Sequence, residues 1–123
     1  YEIRLSLVGS EMCIRDSAYI QIAKNEPHIF RMYLFQERKN VSSLDDIYCS
    51  ETNPNVSKII AENLNISISA AKRLHLNMLI YTIGTGTIYS VTSSSISEAE
   101  IFNQQELAYE AFLKQALEDN RNE

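Results

Sequence analysis

From Ser67 to Thr92 the chain reads SISAAKRLHLNMLIYTIGTGTIYSVT, and after Arg73 this stretch contains no Asp, Glu, Lys or Arg. On a helix, at about 100° per residue, Leu74, Met78, Tyr81, Ile88 and Tyr89 fall on one side and Leu76, Leu79, Ile80, Ile83 and Val91 on the other. A helix apolar on both sides must be covered on both. In a chain of 123 residues little else remains to wrap it. One side is therefore expected against the chain's own core and the other against a partner subunit.

Two other structures compete for this stretch. A membrane span needs about 20 mostly apolar residues, whereas His75, Asn77 and several Thr and Ser residues interrupt the apolar ones here. The β-branched run from Thr82 to Thr92, with Gly84 and Gly86, is locally compatible with a strand, since each glycine costs a helix about 1 kcal/mol against alanine. The pattern before it is helical and no second strand is available to pair with it. A helix capped by Ser67 or Ser69, about 36 Å long, is the expectation.

The flanking segments read as further helices. AYIQIAKNE runs from Ala18 to Pro27, a residue tolerated only in a helix's first turn. Asn25 can cap the next helix, PHIFRMYLFQERK. Its Ile29, Phe30, Met32, Tyr33, Leu34 and Phe35 leave almost no polar face, so it is expected deep in the domain, with Arg38 and Lys39 favourable near its C-terminus. Asn40 to Thr52 reads as a polar connector with room for a helical turn. Asn53 and Pro54 make a cap and first position for a small surface helix striped by Val56, Ile59, Ile60 and Leu64. Beyond Ser93–Ser95, Ser95 with Glu98 or Ser97 with Glu100 makes a capping box. The helix that follows carries a broad stripe, Ile101, Phe102, Ala108, Tyr109, Phe112, Leu113, Ala116 and Leu117, wide enough to serve a core and an interface together. The residues after Leu117 are polar and expected to fray.

Residues 6 to 17, SLVGSEMCIRDS, look foreign to this pattern. Read as codons, ATG TGT ATA AGA GAC and AG plus any base, they resemble the mosaic end of transposon-based sequencing libraries. Residues 1–17 are thus expected to be translated adaptor, and the native product to be longer at its N-terminus. The other reading is a native N-terminus in which Ile3, Leu5, Leu7 and Val8 alternate like a strand.

The chemistry-bearing residues are few. A net charge of −5 with no basic stripe argues against direct binding of DNA or RNA. Cys13 and Cys49 are too few and too far apart for a metal site or disulfide framework, and a reducing, cytoplasmic compartment is expected. Asn40, Asn55 and Asn65 open glycosylation triplets, which count only where a secretory signal accompanies them. His28 and His75 are the only histidines, and no His-x-x-Glu or Glu-x-x-His pair accompanies them. Catalysis, a metal centre and a di-iron bundle are accordingly not expected. Gly84-Thr85-Gly86 lacks the lysine and full glycine pattern of a phosphate loop, and reads as a place where another helix approaches closely. Met32, Phe35, Met78 and Tyr81, with Thr82 and Thr85, can line an apolar pocket bearing hydroxyls, and His75 can be satisfied by such a pocket or by the core. The same residue types also make an ordinary packed core.

The order AYIQIAKNEPHIFRMYLF, polar connector, SAAKRLHLNMLIYTIGTGTIYSV and SISEAEIFNQQELAYEAFLK resembles the C-terminal regulatory domain of TetR/AcrR-type bacterial transcriptional regulators. The likeness spans Ala18 to Leu117. It lies in an x-N-E-P-x-x-F turn before an aromatic helix, a Leu-His-Leu-x-Met opening with a glycine about ten residues later, and a Ser-Glu start to the closing helix. It implies an all-α antiparallel bundle of about five helices over 18–123, without cofactor or enzymatic activity, whose DNA-reading helix-turn-helix is missing here. It further implies a homodimer through the last two helices, at Ile80, Ile83, Thr87, Phe112 and Leu113, and a small hydrophobic or amphipathic effector in the pocket. Effector binding would shift the helices that space the two DNA readers and lower operator affinity. A ligand-free helical interaction module, or a small helical-bundle enzyme with inward carboxylates, is the alternative.

Overall fold

A computed structural model describes residues 18–92 and 95–123. The adaptor-like segment, the strand-like alternation before it and two serines of the break before the last helix lie outside the described residues. What is described is all-helical: α1 (residues 18–25), α2 (Pro27–Leu34), α3 (Leu44–Glu51), α4 (Pro54–Leu64), α5 (Ile68–Val91) and α6 (Glu98–Arg121). Among these residues no helix is long and apolar enough to cross a membrane.

Local sequence sets most helix ends. Ser67 Oγ accepts from Ala70 N, Ser97 Oγ from Glu100 N, and Asn53 Oδ1 from Asn55 N ahead of Pro54, each satisfying an amide that the first turn leaves without an intrahelical partner. The polar connector holds more than a single turn: Ser43 caps α3 by accepting from Asp46 N, with Asp45 and Asp46 in its first turn. At the end of α4, Asn65 takes the left-handed conformation (φ 55°) and Ile66 N donates back to Ala61 O. Asn25 does not cap α2. It belongs to α1, where its amide donates to Gln21 Oε1, and Glu26 stands at the cap position without a side-chain bond.

Helix α5 is the axis of the molecule, packed against α6, α4 and α2. Its buried positions include Ala71, Leu74, His75, Met78, Thr82 and Tyr89, a stripe at three- and four-residue spacing. The division anticipated from the sequence is rotated: Leu79 is buried with this stripe, whereas Ile88 is exposed with Ile80 and Val91. Two apolar clusters result. One joins Ile60 and Leu64 of α4 to Leu74 and Met78 of α5 and Leu113 of α6. The other, at the far end, joins Ile20 of α1, Tyr89 and Ile101. Between them the contact turns polar, with Gln105 Nε2 donating to the buried Thr82 Oγ1 at 2.8 Å and Gln104 Nε2 to Tyr81 Oη at 2.7 Å.

Polar contacts join α5 to α6 at one end of the bundle and α1 to α6 at the other. Ser67 N donates to Asn120 Oδ1, and Arg73 reaches Asp119 at 3.1 Å and Glu123 at 2.9 Å. Hydrogen bonds from the Ser67 side chain and from Arg73 hold the Glu123 carboxyl below its ordinary range, and those to Glu123 and Asp119 hold the Arg73 guanidinium above its own. At the other end Gln21 and Lys24 of α1 both reach the Glu98 carboxylate.

The expected deep placement of the aromatic helix is corrected. Helix α2 stops at Leu34, buries only Phe30, and leaves Met32 75 % and Phe35 72 % exposed. Apolar content says that a face wants cover; it does not say what covers it, and among the described residues the flank of α5 and the end of α3 cover it only in part. Arg38 folds back to donate to Leu34 O and Tyr33 O and pairs with Glu51 at 3.2 Å, so its charge still serves the helix end. Tyr33 also donates to Glu51, which pushes its phenol above the usual range.

Phe30 explains one glycine. A methyl group built on Gly86 would stand 2.7 Å from Phe30 Cζ, closer than carbon atoms approach without displacement. Gly86→Leu is therefore expected to cost about 1–3 kcal/mol, the usual range for overpacking, and to unseat α2. Urea unfolding checks it, and a variant as stable as the parent would mean that the Phe30 ring does not rest on α5.

Candidate functional site

The seven residues expected to line a pocket do not share one. His75, Met78 and Thr82 fill the interior. His75 Nδ1 lies 2.9 Å from Tyr48 Oη, with the two rings edge to face, which ties α3 to α5. Met78 packs among Ile60, Leu64 and Leu74, and Thr82 holds Gln105. Met32 and Phe35 stand on the open face of α2. Phe35, with Tyr33 and Leu34, lines a hollow of about 270 Å³ against Ile83 and Thr87 of α5.

Tyr81 and Thr85 do meet, in a cleft of about 450 Å³ between α5 and α6 that opens to solvent on one side. Ile80, Ile88 and Ile96 give it apolar walls, and the exposed Gly84 lies at its α5 edge. Four polar side chains converge there. Gln104 donates to the Tyr81 hydroxyl, Thr85 Oγ1 donates to Tyr81 O at 2.9 Å, and Glu100 is the only charged side chain among the described lining residues. Glu100 lies in the first turn of α6, where the helix N-terminus favours a carboxylate. The volume falls within the roughly 300–1,000 Å³ typical of small-molecule sites.

The residues expected at a dimer interface also divide. Ile80 is 47 % exposed, and Ile83 and Thr87 are half-buried on the flank turned toward α2. Phe112 is half-buried, edge to face on Tyr81 at 6.1 Å, and Leu113 lies wholly in the chain's own core. The open α5–α6 surface instead carries Ile80, Gly84, Ile88 at 54 % exposure, Val91 and Leu107. Sequence reasoning had set Ile88 on the inner side and did not single out Gln104 or Glu100 as cleft residues. The four-residue steps Ile80–Gly84–Ile88 and Glu100–Gln104 were the available signal.

Among the described residues no group of three His, Cys, Asp or Glu side chains is placed to hold a metal ion. Comparisons with protein-family models, curated proteins and solved structures return no match.

Proposed function

We propose that this chain is the effector-sensing and pairing part of a bacterial, cytoplasmic transcriptional regulator of the TetR/AcrR type, one that reaches DNA only through an N-terminal domain outside this chain. The observation that supports it most is the outer flank of α5. It carries no charge from Leu74 to Val91, yet Ile80, Ile88 and Val91 lie in water. Fully burying such a side chain is worth about 1.5–3 kcal/mol, and roughly half of that is still to be gained at each, a drive toward a second copy. An acidic chain of net charge −5 suits a sensing role better than a DNA-reading one. In this reading the chain carries no catalytic residue and binds an amphipathic effector rather than a cofactor.

A second reading is favoured by one observation. Met78 and Thr82 are shielded from solvent, Met78 in the cluster with Ile60, Leu64 and Leu74 and Thr82 against Gln105, as in a helical module that pairs without a ligand.

Fusing residues 18–123 behind a helix-turn-helix domain that has no dimer contacts of its own tests the proposal. On a reporter with a palindromic operator, repression of at least about tenfold is expected, because two linked half-site readers gain affinity through effective concentration. Light scattering should give the native chain twice its 14.1 kDa mass. A monomer that does not repress would reject this reading.

A further inference from the structure

Two glycines sit two residues apart on α5, and only one is explained by this chain. A Cβ on Gly86 would meet the Phe30 ring; a Cβ on Gly84 would meet no described residue within 4 Å. Glycine within a helix costs about 1 kcal/mol against alanine. At Gly84 the folded chain returns nothing for that cost.

Gly84 lies midway between exposed Ile80 and Ile88, four residues to either side. Such an arrangement is self-complementary under a two-fold axis. If α5 crosses its own copy antiparallel at Gly84, Ile80 of each chain meets Ile88 of the other, as an isologous contact requires. The missing side chain lets the two backbones come close. Gly84, Ile80 and Ile88 also belong to the α5–α6 cleft. A copy seated there roofs the open side of that cleft.

We propose that the cleft is a binding site for a small aliphatic amine and is completed only by a second copy of the chain, which crosses α5 at Gly84. This rests on the pairing in the preceding section and adds the position of the site and the class of its ligand. Isoleucine walls take the hydrocarbon body. The Glu100 carboxylate at the rim takes the ammonium group, and Gln104 and Tyr81 offer it further acceptor oxygens. An anionic head of the same length would face Glu100 and be refused. Because the site exists only in the pair, ligand and dimer stabilise each other by the same factor.

The test is sedimentation equilibrium of the full chain with n-octylamine, n-octanol or octanoate, all below micelle formation. Octylamine is expected to tighten the dimer about tenfold, octanol less and octanoate not at all. Glu100→Gln should stay dimeric and lose the preference for octylamine over octanol. Gly84→Leu should be monomeric and helical, with no response to octylamine. Ile88→Glu serves in its place if circular dichroism finds Gly84→Leu unfolded.

A native monomer overturns the pairing and the site together. A folded Gly84→Leu, or failing that a folded Ile88→Glu, that stays dimeric overturns the crossing and leaves pairing intact. A native dimer indifferent to octylamine, with Gly84→Leu monomeric, overturns the amine site alone.

Discussion

Leu74→Ala is expected to lower the free energy of unfolding by about 2–5 kcal/mol, the range for losing a fully buried leucine and leaving a cavity. Leu74 is completely shielded from solvent. It lies where α4, α5 and α6 meet, among Ile60, Leu64, Met78 and Leu113. These neighbours sit on three separate helices, two of which, α5 and α6, are joined by polar contacts at one end, so they close little of the space left behind. A domain of this size has about 5–15 kcal/mol of stability in total, and the variant is expected to be partly unfolded near body temperature. Guanidinium titration followed at 222 nm measures it. A loss below about 1 kcal/mol would show that Leu74 does not hold the three helices together.

Ile80→Glu is expected to convert the proposed dimer to a monomer while leaving the fold intact. Ile80 is already half in water within the single chain, so a carboxylate there costs the isolated fold little. In a paired structure the same carboxylate would be buried without a partner in each copy. A charge so placed costs several kcal/mol, enough to lower association by orders of magnitude. Light scattering should return the mass of one 14.1 kDa chain, with an unchanged far-ultraviolet spectrum. An unchanged dimer mass would remove the α5 flank from the interface. Acidic substitution at Phe112 is a poorer probe, because that ring packs on Tyr81 and its loss would disturb folding and pairing together.

Local signals carried far in this chain. The uncharged run after Arg73 was legible as one long helix, and Ser67, Asn53 and Ser97 were legible as caps, because a cap depends only on residues within one turn. Helix α3 was legible too, in Ser43 with Asp46 three residues on, although the polarity of the segment pointed to a connector. What the sequence withheld is long-range. The apolar residues of α2 look the same whether buried or bare, and only the place where α5 runs past Phe30 decides that one is covered and five are not fully covered. Met78 and Tyr81 are equally suited to a core and to a ligand wall. Met78 is enclosed by the α4–α6 cluster while Tyr81, three residues on, packs at its edge against Phe112 and reaches the cleft, a matter of helix rotation to which residue type is blind.

The polar waist between the two apolar clusters limits how this molecule can move. A slip of α5 along α6 by one helical turn, about 5.4 Å, would pull Thr82 from Gln105 and Tyr81 from Gln104 and carry their amides and hydroxyls against hydrocarbon. Sliding is thereby locked. A rearrangement that spares those bonds has to turn one helix on the other about the Thr82–Gln105 contact, as a lever turns on a pivot, rather than carry it lengthwise.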